Sequence, residues 1–401
     1  MQISPETLLF IEKNAHADYR SLALQAKKYP QVDMAMAVVQ IAGRQIAEAK
    51  IPTWYHTEGL LYPKHLSMEQ CSSEATARYK AGLIEGESFV DLTGGFGIDC
   101  SFLSRKFKRA DYVERQAELC DLARHNFPLL GLQIGVHHED GEAYLNGMQP
   151  VDCIFLDPAR RDGHGGKTVA IADCEPDVSV LESKLVGKAH TVMVKLSPML
   201  DLSLALNSLK HVREVHIVSV NNECKEMLLI LQKTSVSSEV LIHCEHIMGT
   251  SMCDSAHQHF TFTRELERAS DCSLTTTVDA YLYEPNASIL KAGGYRSLAQ
   301  FFPVKKLHTN SHLYVSSHFI ENFPGRSFQV LAVSGFGKKE LKTFLQGVEK
   351  ANLTVRNFPS SVAELRKRLK LKEGGEDYLF ATTLADESKV LIKCKKCGCV
   401  F

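Results

Sequence analysis

The sequence predicts an α/β protein: a Rossmann-like, doubly wound sheet preceded by a helical N-terminal segment and followed by a C-terminal α+β module. Three observations predict it. Short β-rich runs alternate with amphipathic stretches from about residue 69 to 232, and such alternation implies parallel strands joined by helical crossovers. The first of those strands, FVDL, runs directly into TGGFG and a helix, the turn that brings a backbone close to a nucleoside ligand. The first fifty residues carry helical spacing and no strand pattern.

Taken in order, Ser4 and Pro5 read as a helix cap and first turn, and Ala35, Val38, Val39, Ala42 and Ile46 recur at helical spacing. Pro52, Gly59 and Pro63 punctuate the pattern and place a boundary near Tyr62. There follow a helix Glu69 to Leu83, strand Ser88 to Leu92, helix Ile98 to Phe107, strand Asp111 to Glu114, helix Gln116 to Leu129 and strand Gln133 to His137. Strands Asp152 to Leu156, Thr191 to Leu196 and Glu214 to Val220, with a run at Met227 to Gln232, complete the sheet. After residue 236 the pattern changes. The stretch Phe328 to Val333, a helix Lys338 to Lys350, a strand near Val355, a helix Val362 to Leu371 and the run Asp377 to Thr383 read as a compact α+β module. The expected divisions are 1–62, helical; 63–235, cofactor-binding; 236–321, a connecting α+β region with ferredoxin-like as one reading; and 322–401, a basic terminal domain.

At 401 residues, 44% hydrophobic and 23% charged, the chain resembles ordinary globular proteins in composition. No apolar run reaches the roughly 18 residues of a membrane span, and the N-terminus lacks a signal-peptide pattern, so a cytoplasmic protein with no membrane partner is expected. The twelve cysteines are scattered, which suits reduced core residues better than a disulfide framework. Charge is uneven: residues from 322 onward carry about +7 and the remainder about −8. That asymmetry favours a polyanionic partner for the tail.

In FVDLTGGFGID, Asp91 stands at the strand end and Gly94, Gly95 and Gly97 follow. The spacing fits the D-x-x-G-G-x-G form of methyltransferases better than a dinucleotide fingerprint. Glu114 ends the next strand, where a carboxylate accepts hydrogen bonds from both ribose hydroxyls. Asp140, followed by Gly141, ends the third and can read an adenine amino group, and Asp157 with Pro158 ends the fourth. One acidic strand end is usually a helix cap; four in order argue for an adenosyl cofactor.

These motifs resemble the class I S-adenosylmethionine-dependent methyltransferases, and more narrowly a bacterial group with a DPARR motif and a C-terminal THUMP-like module. The narrow resemblance rests on EQCSSEATARYKAGL, VDLTGGFGID, LDPARR, YEPNASILKAG and RNFPSSVAELRKRLKLKEGGEDYLFATT. It implies S-adenosylmethionine as cofactor, with Asp91, Thr93, Gly94, Gly95 and Gly97 around its methionine part, Glu114 at the ribose and Asp140 at the adenine. Asp99 and Gly141 belong to the same cofactor set. Thr93 stands where the common loop has glycine, and its hydroxyl is a candidate partner for the cofactor carboxylate.

Asp157, Pro158, Arg160 and Arg161 would edge the substrate pocket as the catalytic group. Nitrogen methyltransferases commonly carry an aromatic residue after D/N-P-P, where this chain has Ala159 and Arg160. The acceptors for an amine remain while the stacking platform is absent or replaced by an arginine plane. Carbon methylation of a pyrimidine needs a cysteine nucleophile, and the corresponding later loop reads VKLSPM; Cys174 and Cys224 are poor substitutes. Lys167, in a glycine-rich cationic loop, and Lys195, at a strand end, are candidate phosphate contacts. In the tail, Arg356, Arg366, Lys367 and Arg368 lie near Phe358 and Tyr378, a mixture suited to RNA.

The expectation is therefore a methyltransferase acting on a base of tRNA or rRNA, nitrogen favoured over carbon, with no obligate protein partner. The alternative is a catalytically silent RNA-binding or assembly protein that keeps the cofactor fold. No metal is expected. Cys394, Cys397 and Cys399 supply only half a zinc site, His243, His246, His257 and His259 are distant in sequence, and the terminal thiols read as reactive. Tyr79 and Lys80 are possible contacts to the cofactor from the preceding helix, and the N-terminal helices read as either packing or a lid.

Overall fold

A computed structural model describes residues 3–160, 170–233, 239–249 and 257–398. Its contacts divide the chain into two compact units: the first takes 1–221, 225–238 and 247–256, and the second the remainder. In the first, seven strands are neighbours: β1 (Ser88–Asp91), β2 (Arg109–Glu114), β3 (Gly135–His138), β4 (Val151–Leu156), β5 (Ala189–Leu196), β6 (Val212–Val220) and β7 (Glu223–Leu231). Their order is β3-β2-β1-β4-β5-β7-β6. β1 through β5 pair in parallel, whereas β7 lies antiparallel to β5. The cause of that reversal is local. Asn221 and Asn222 both have positive φ, 49° and 64°, the two-residue turn whose twist matches a hairpin.

The chain order reverses on either side of β1 and β4, so the helices after β1 and β4 leave to opposite faces and a crevice opens beyond their carboxyl ends. Phe89, Tyr112, Phe127 and Phe155 fill the core beneath it. The N-terminal residues fall in this same unit. Ser4 caps the helix Pro5–Lys13 and Asp33 caps Met34–Lys50. The latter buries Met34, Ala37 and Ile41 and leaves Ala35 exposed, so its packed stripe is rotated from the one formed by Ala35, Val38 and Val39.

One expected helix is two. The run Glu69 to Leu83 divides into His65–Gln70 and Glu74–Ala81 because the Ser73 hydroxyl accepts from the Thr76 N–H at 3.3 Å and caps a fresh start. Cys71 between them is extended. Similarly, Lys338–Phe344 ends earlier than Lys350, and Gly347 follows with φ of 81°.

In the second unit, β8 (Leu241–Ile247) and β9 (His257–Thr263) are neighbours. A further sheet contains β10 (Tyr281–Pro285), β11 (Lys305–Lys306), β12 (Tyr314–Ser316), β13 (Gly325–Ser334), β14 (Asn352–Arg356), β15 (Asp377–Thr383) and β16 (Lys389–Lys396), ordered β11-β12-β10-β13-β16-β15-β14. Phe328, Phe380 and Ile392 centre one core, and Leu353, Leu365 and Leu379 another under the helix Val362–Leu369. Among the described residues no helix is long and apolar enough to cross a membrane.

Candidate active site

At the carboxyl end of β1 the backbone turns under Tyr112. A Cβ on Gly94 would stand 2.2 Å from that ring, and Gly97 carries φ of 86° as it opens the helix Ile98–Leu103. Glycine is therefore required at both, once by contact and once by conformation. Asp91, 1% exposed, accepts from the Thr93 N–H at 3.0 Å. Burial raises its carboxyl well above the usual range, and the nearby charges of Asp99, Asp157 and Glu114 push the same way against that hydrogen bond.

Glu114 ties the loop to β2. One oxygen accepts from the Gly95 N–H and the other from the Gln116 N–H, each at 2.8 Å. The Tyr112 hydroxyl donates to the Gly95 carbonyl at 2.5 Å. Asp140 caps the helix Gly141–Gly147 by accepting at one oxygen from the Glu142 and Ala143 N–H groups. A Cβ on Gly141 would lie 2.3 Å from the Leu92 carbonyl oxygen, so the third strand end can approach β1 only because that residue is glycine.

Together these strand ends line a cleft of about 270 Å³, closed on another side by Ser67, Gln70, Cys71 and Ser72. The N-terminal residues support the loop from behind: the Trp54 ring lies 4.8 Å from that of Phe96, and its Nε1–H donates to the Ser101 hydroxyl at 3.3 Å. Packing is thus an observed role for this segment.

Behind the loop lies a buried network of charge. The Lys80 ammonium, with its side chain 0% exposed, bonds both oxygens of Glu226 at 2.7 and 2.6 Å, lies 3.2 Å from Asp99, and donates to Ser72 at 3.2 Å. Lys195 bonds Asp157 at 2.5 Å, Asp99 at 3.3 Å and Ser72 at 3.1 Å. Burial alone would raise Asp99, but Lys80, Lys195 and the Ser72 hydroxyl hold it at about 2. Burial alone would likewise lower Lys195, yet Asp157, Asp99 and Glu226 overcome it and hold the ammonium above its usual range. Glu226 is raised by burial, which Lys80 and Lys195 only partly offset. Lys195 therefore remains a cation at neutral pH and cannot act as a base.

The structure thus brings Asp91, Thr93, Gly94, Gly95, Gly97, Asp99, Glu114, Asp140, Gly141, Asp157 and Lys195 around one cleft. Three of these residues also make contacts within the protein. Thr93 accepts from the Asp157 N–H at 2.6 Å, so its oxygen anchors the fourth strand end. Asp99 faces the two lysines. Lys195, expected to meet phosphate, has its charge balanced internally by Asp157 and Asp99. Pro158 is buried beside the cleft, and Arg160 belongs to a two-residue pairing, Ala159–Arg160 with Cys174–Glu175. Arg161 and Lys167, with their glycine-rich loop, lie outside the described residues. Ser72 and Glu226 were not singled out from the sequence, and Lys80 proves to be a buried counter-ion.

The tail residues separate as well. Arg356 and Arg326 both pair with Glu284, itself 1% exposed; the Arg356 contact is 2.9 Å. Arg356 therefore also serves as counter-ion to a buried carboxylate. Arg366 is half-buried and donates to the Ala351 carbonyl at 3.3 Å, while Lys367 and Arg368 are exposed, the latter 5.4 Å from the centre of the Phe336 ring. Burial pushes the Cys394 thiol up to about 12 and raises Cys397 too, so neither has the thiolate character expected of a reactive terminal thiol. Cys399 lies outside the described residues.

Comparison with known proteins bears on this site. Residues 281–324 match a family model described as a ferredoxin-like domain, and residues 325–396 one described as THUMP domain-like. The chain is similar to a crystal structure described as "putative methyltransferase from Porphyromonas gingivalis W83", with 35% identity, a TM-score of 0.86, and coverage of 99% of this chain and 100% of that one. It belongs to the class I S-adenosylmethionine-dependent methyltransferases with a C-terminal THUMP-like domain. An "uncharacterized S-adenosylmethionine-dependent methyltransferase" of Mycobacterium tuberculosis, found in two strains, is 23% identical over 310 residues, 76% of this chain and 80% of its own.

The residues of this methyltransferase fit the cofactor. Each Glu114 oxygen uses one lone pair on the backbone and keeps another for a ribose hydroxyl, and the second Asp140 oxygen has no protein partner among the described residues. The cofactor is S-adenosylmethionine.

Proposed function

We propose that this methyltransferase modifies a nitrogen of a base in tRNA or rRNA. The observation that carries the reading is Asp157, fixed at the cleft by its backbone N–H on Thr93 and by one carboxylate oxygen on Lys195. The other oxygen is available to accept an amine N–H, and the Pro158 carbonyl can accept a second. Two acceptors on one amine direct its lone pair at the methyl group. The bound cofactor supplies that methyl as an electrophilic sulfonium substituent.

Lys195 keeps Asp157 in place and, being protonated, takes no proton itself; the N–H proton displaced as the methyl transfers passes to the Asp157 carboxylate and on to solvent, and the cofactor leaves as its neutral thioether. Carbon methylation is disfavoured because Cys71, which lines the cleft, has its thiol raised by burial, whereas addition to a ring needs a thiolate. RNA is favoured by the THUMP-like match and by exposed Lys367, Arg368, Lys370 and Lys372 in that module.

The test is mass spectrometry of nucleosides from tRNA and rRNA of a deletion strain, complemented by wild type or Asp157→Asn. One methylated base should disappear, return with wild type and stay absent with the variant, which still binds cofactor. An unchanged nucleoside profile would overturn the RNA reading.

A further inference from the structure

The second unit holds a cluster that methyl transfer does not use. Side chains two residues apart on a strand share a face, so His243 and Glu245 project together from β8, and His257, His259 and Thr261 from the neighbouring β9. The two sets meet. One Glu245 oxygen lies 2.5 Å from His259 Nδ1 and the other 2.7 Å from His257 Nε2. The Thr261 hydroxyl lies 3.0 Å from His243 Nδ1 and 2.8 Å from His259 Nε2. Glu245 is only 4% exposed, and a carboxylate buried at that depth requires positive charge beside it.

One ligating atom from each of His243, Glu245 and His259 lies within 4.8 Å of the others. Around a tetrahedral zinc the corresponding atoms stand about 3.3 Å apart, given bonds of roughly 2.0 to 2.1 Å. Shifts of about an ångström in side-chain position would bring the set to bonding distance. Two imidazoles and a carboxylate suit zinc and its neighbours; calcium and magnesium take oxygen shells. The surroundings fit as well: Thr261 bonds the imidazoles and His257 the carboxylate, the outer contacts that orient metal ligands. The terminal cysteines compete poorly, since their thiols resist ionisation.

We propose that His243, Glu245 and His259 bind one zinc-class divalent ion, with His257 holding the Glu245 carboxylate in register, so that the ion fastens β8 to β9. The full-length protein, stripped with chelator and dialysed, is titrated with zinc by calorimetry and with cobalt(II) by absorption. One equivalent should bind, with a cobalt spectrum of nitrogen and oxygen ligation lacking a sulfur-to-metal band. His259→Ala, at an exposed residue, and Glu245→Gln should each weaken binding at least tenfold, and Cys397→Ser should leave it unchanged. Melting curves and cofactor binding confirm that the variants are folded. Absence of zinc binding to the wild type at micromolar concentration, binding indifferent to His259→Ala, or binding lost in Cys397→Ser would each overturn the proposal.

Discussion

Replacing Lys80 by methionine keeps most of the side-chain volume and removes one charge from a site with no solvent access. Glu226 loses its 2.6 and 2.7 Å partner and Asp99 one of its two lysines. Deleting one member of a buried ion pair costs about 3 to 5 kcal/mol, because the remaining charge is uncompensated. For a unit of this size that corresponds to roughly 6 to 20 °C in Tm.

The penalty should also depend on pH. Glu226 is already raised in the folded protein, and such a carboxyl favours folding below its unfolded value, an advantage lost as pH climbs through the folded one. Without Lys80 it rises further. The variant's deficit is therefore larger at pH 8 than at pH 5, changing by no more than about 1.4 kcal/mol per pH unit for one proton. Urea unfolding of wild type and Lys80→Met at both pH values measures it. A deficit under about 1 kcal/mol, or one equal at the two pH values, would refute the reasoning.

Other outcomes follow from the same contacts. Gly94→Ala drives a methyl into the Tyr112 ring and should cost about 1 to 3 kcal/mol while abolishing calorimetric binding of S-adenosylmethionine. Glu114→Ala releases the Gly95 and Gln116 N–H groups as well as the proposed ribose contact, so cofactor affinity should fall about 10- to 100-fold by the same titration. Arg356→Ala leaves Glu284 with Arg326 alone; melting should report a less stable C-terminal module, with RNA affinity measured by filter binding changed less than in Lys367→Ala/Arg368→Ala.

Much of the cofactor site was legible because its determinants are local. The strand FVDL, the glycines after it and the acid ending the next strand occupy fixed places on consecutive elements, and period-two and helical patterns locate those elements. Lys80 and Glu226 were not legible as a pair: they lie 146 residues apart, and only the antiparallel insertion of β7 beside β5 brings Glu226 behind the loop. Asn221 and Asn222 carried the signal for that hairpin. Ser73 likewise signalled a new helix start, which exposes Ser72 to both lysines.

The sequence by itself determined the cofactor class and the loop that receives it, since a tight turn needs glycine wherever it occurs and acidic strand ends need only their order. What the tertiary structure decided is how the charges are used. Lys195 and Arg356 looked like free cations in a linear reading, and each proved to neutralise a carboxylate drawn from a distant segment. The reason is physical: a charge's role depends on whether folding buries an opposite charge beside it, and that proximity is a property of packing that chain order does not contain.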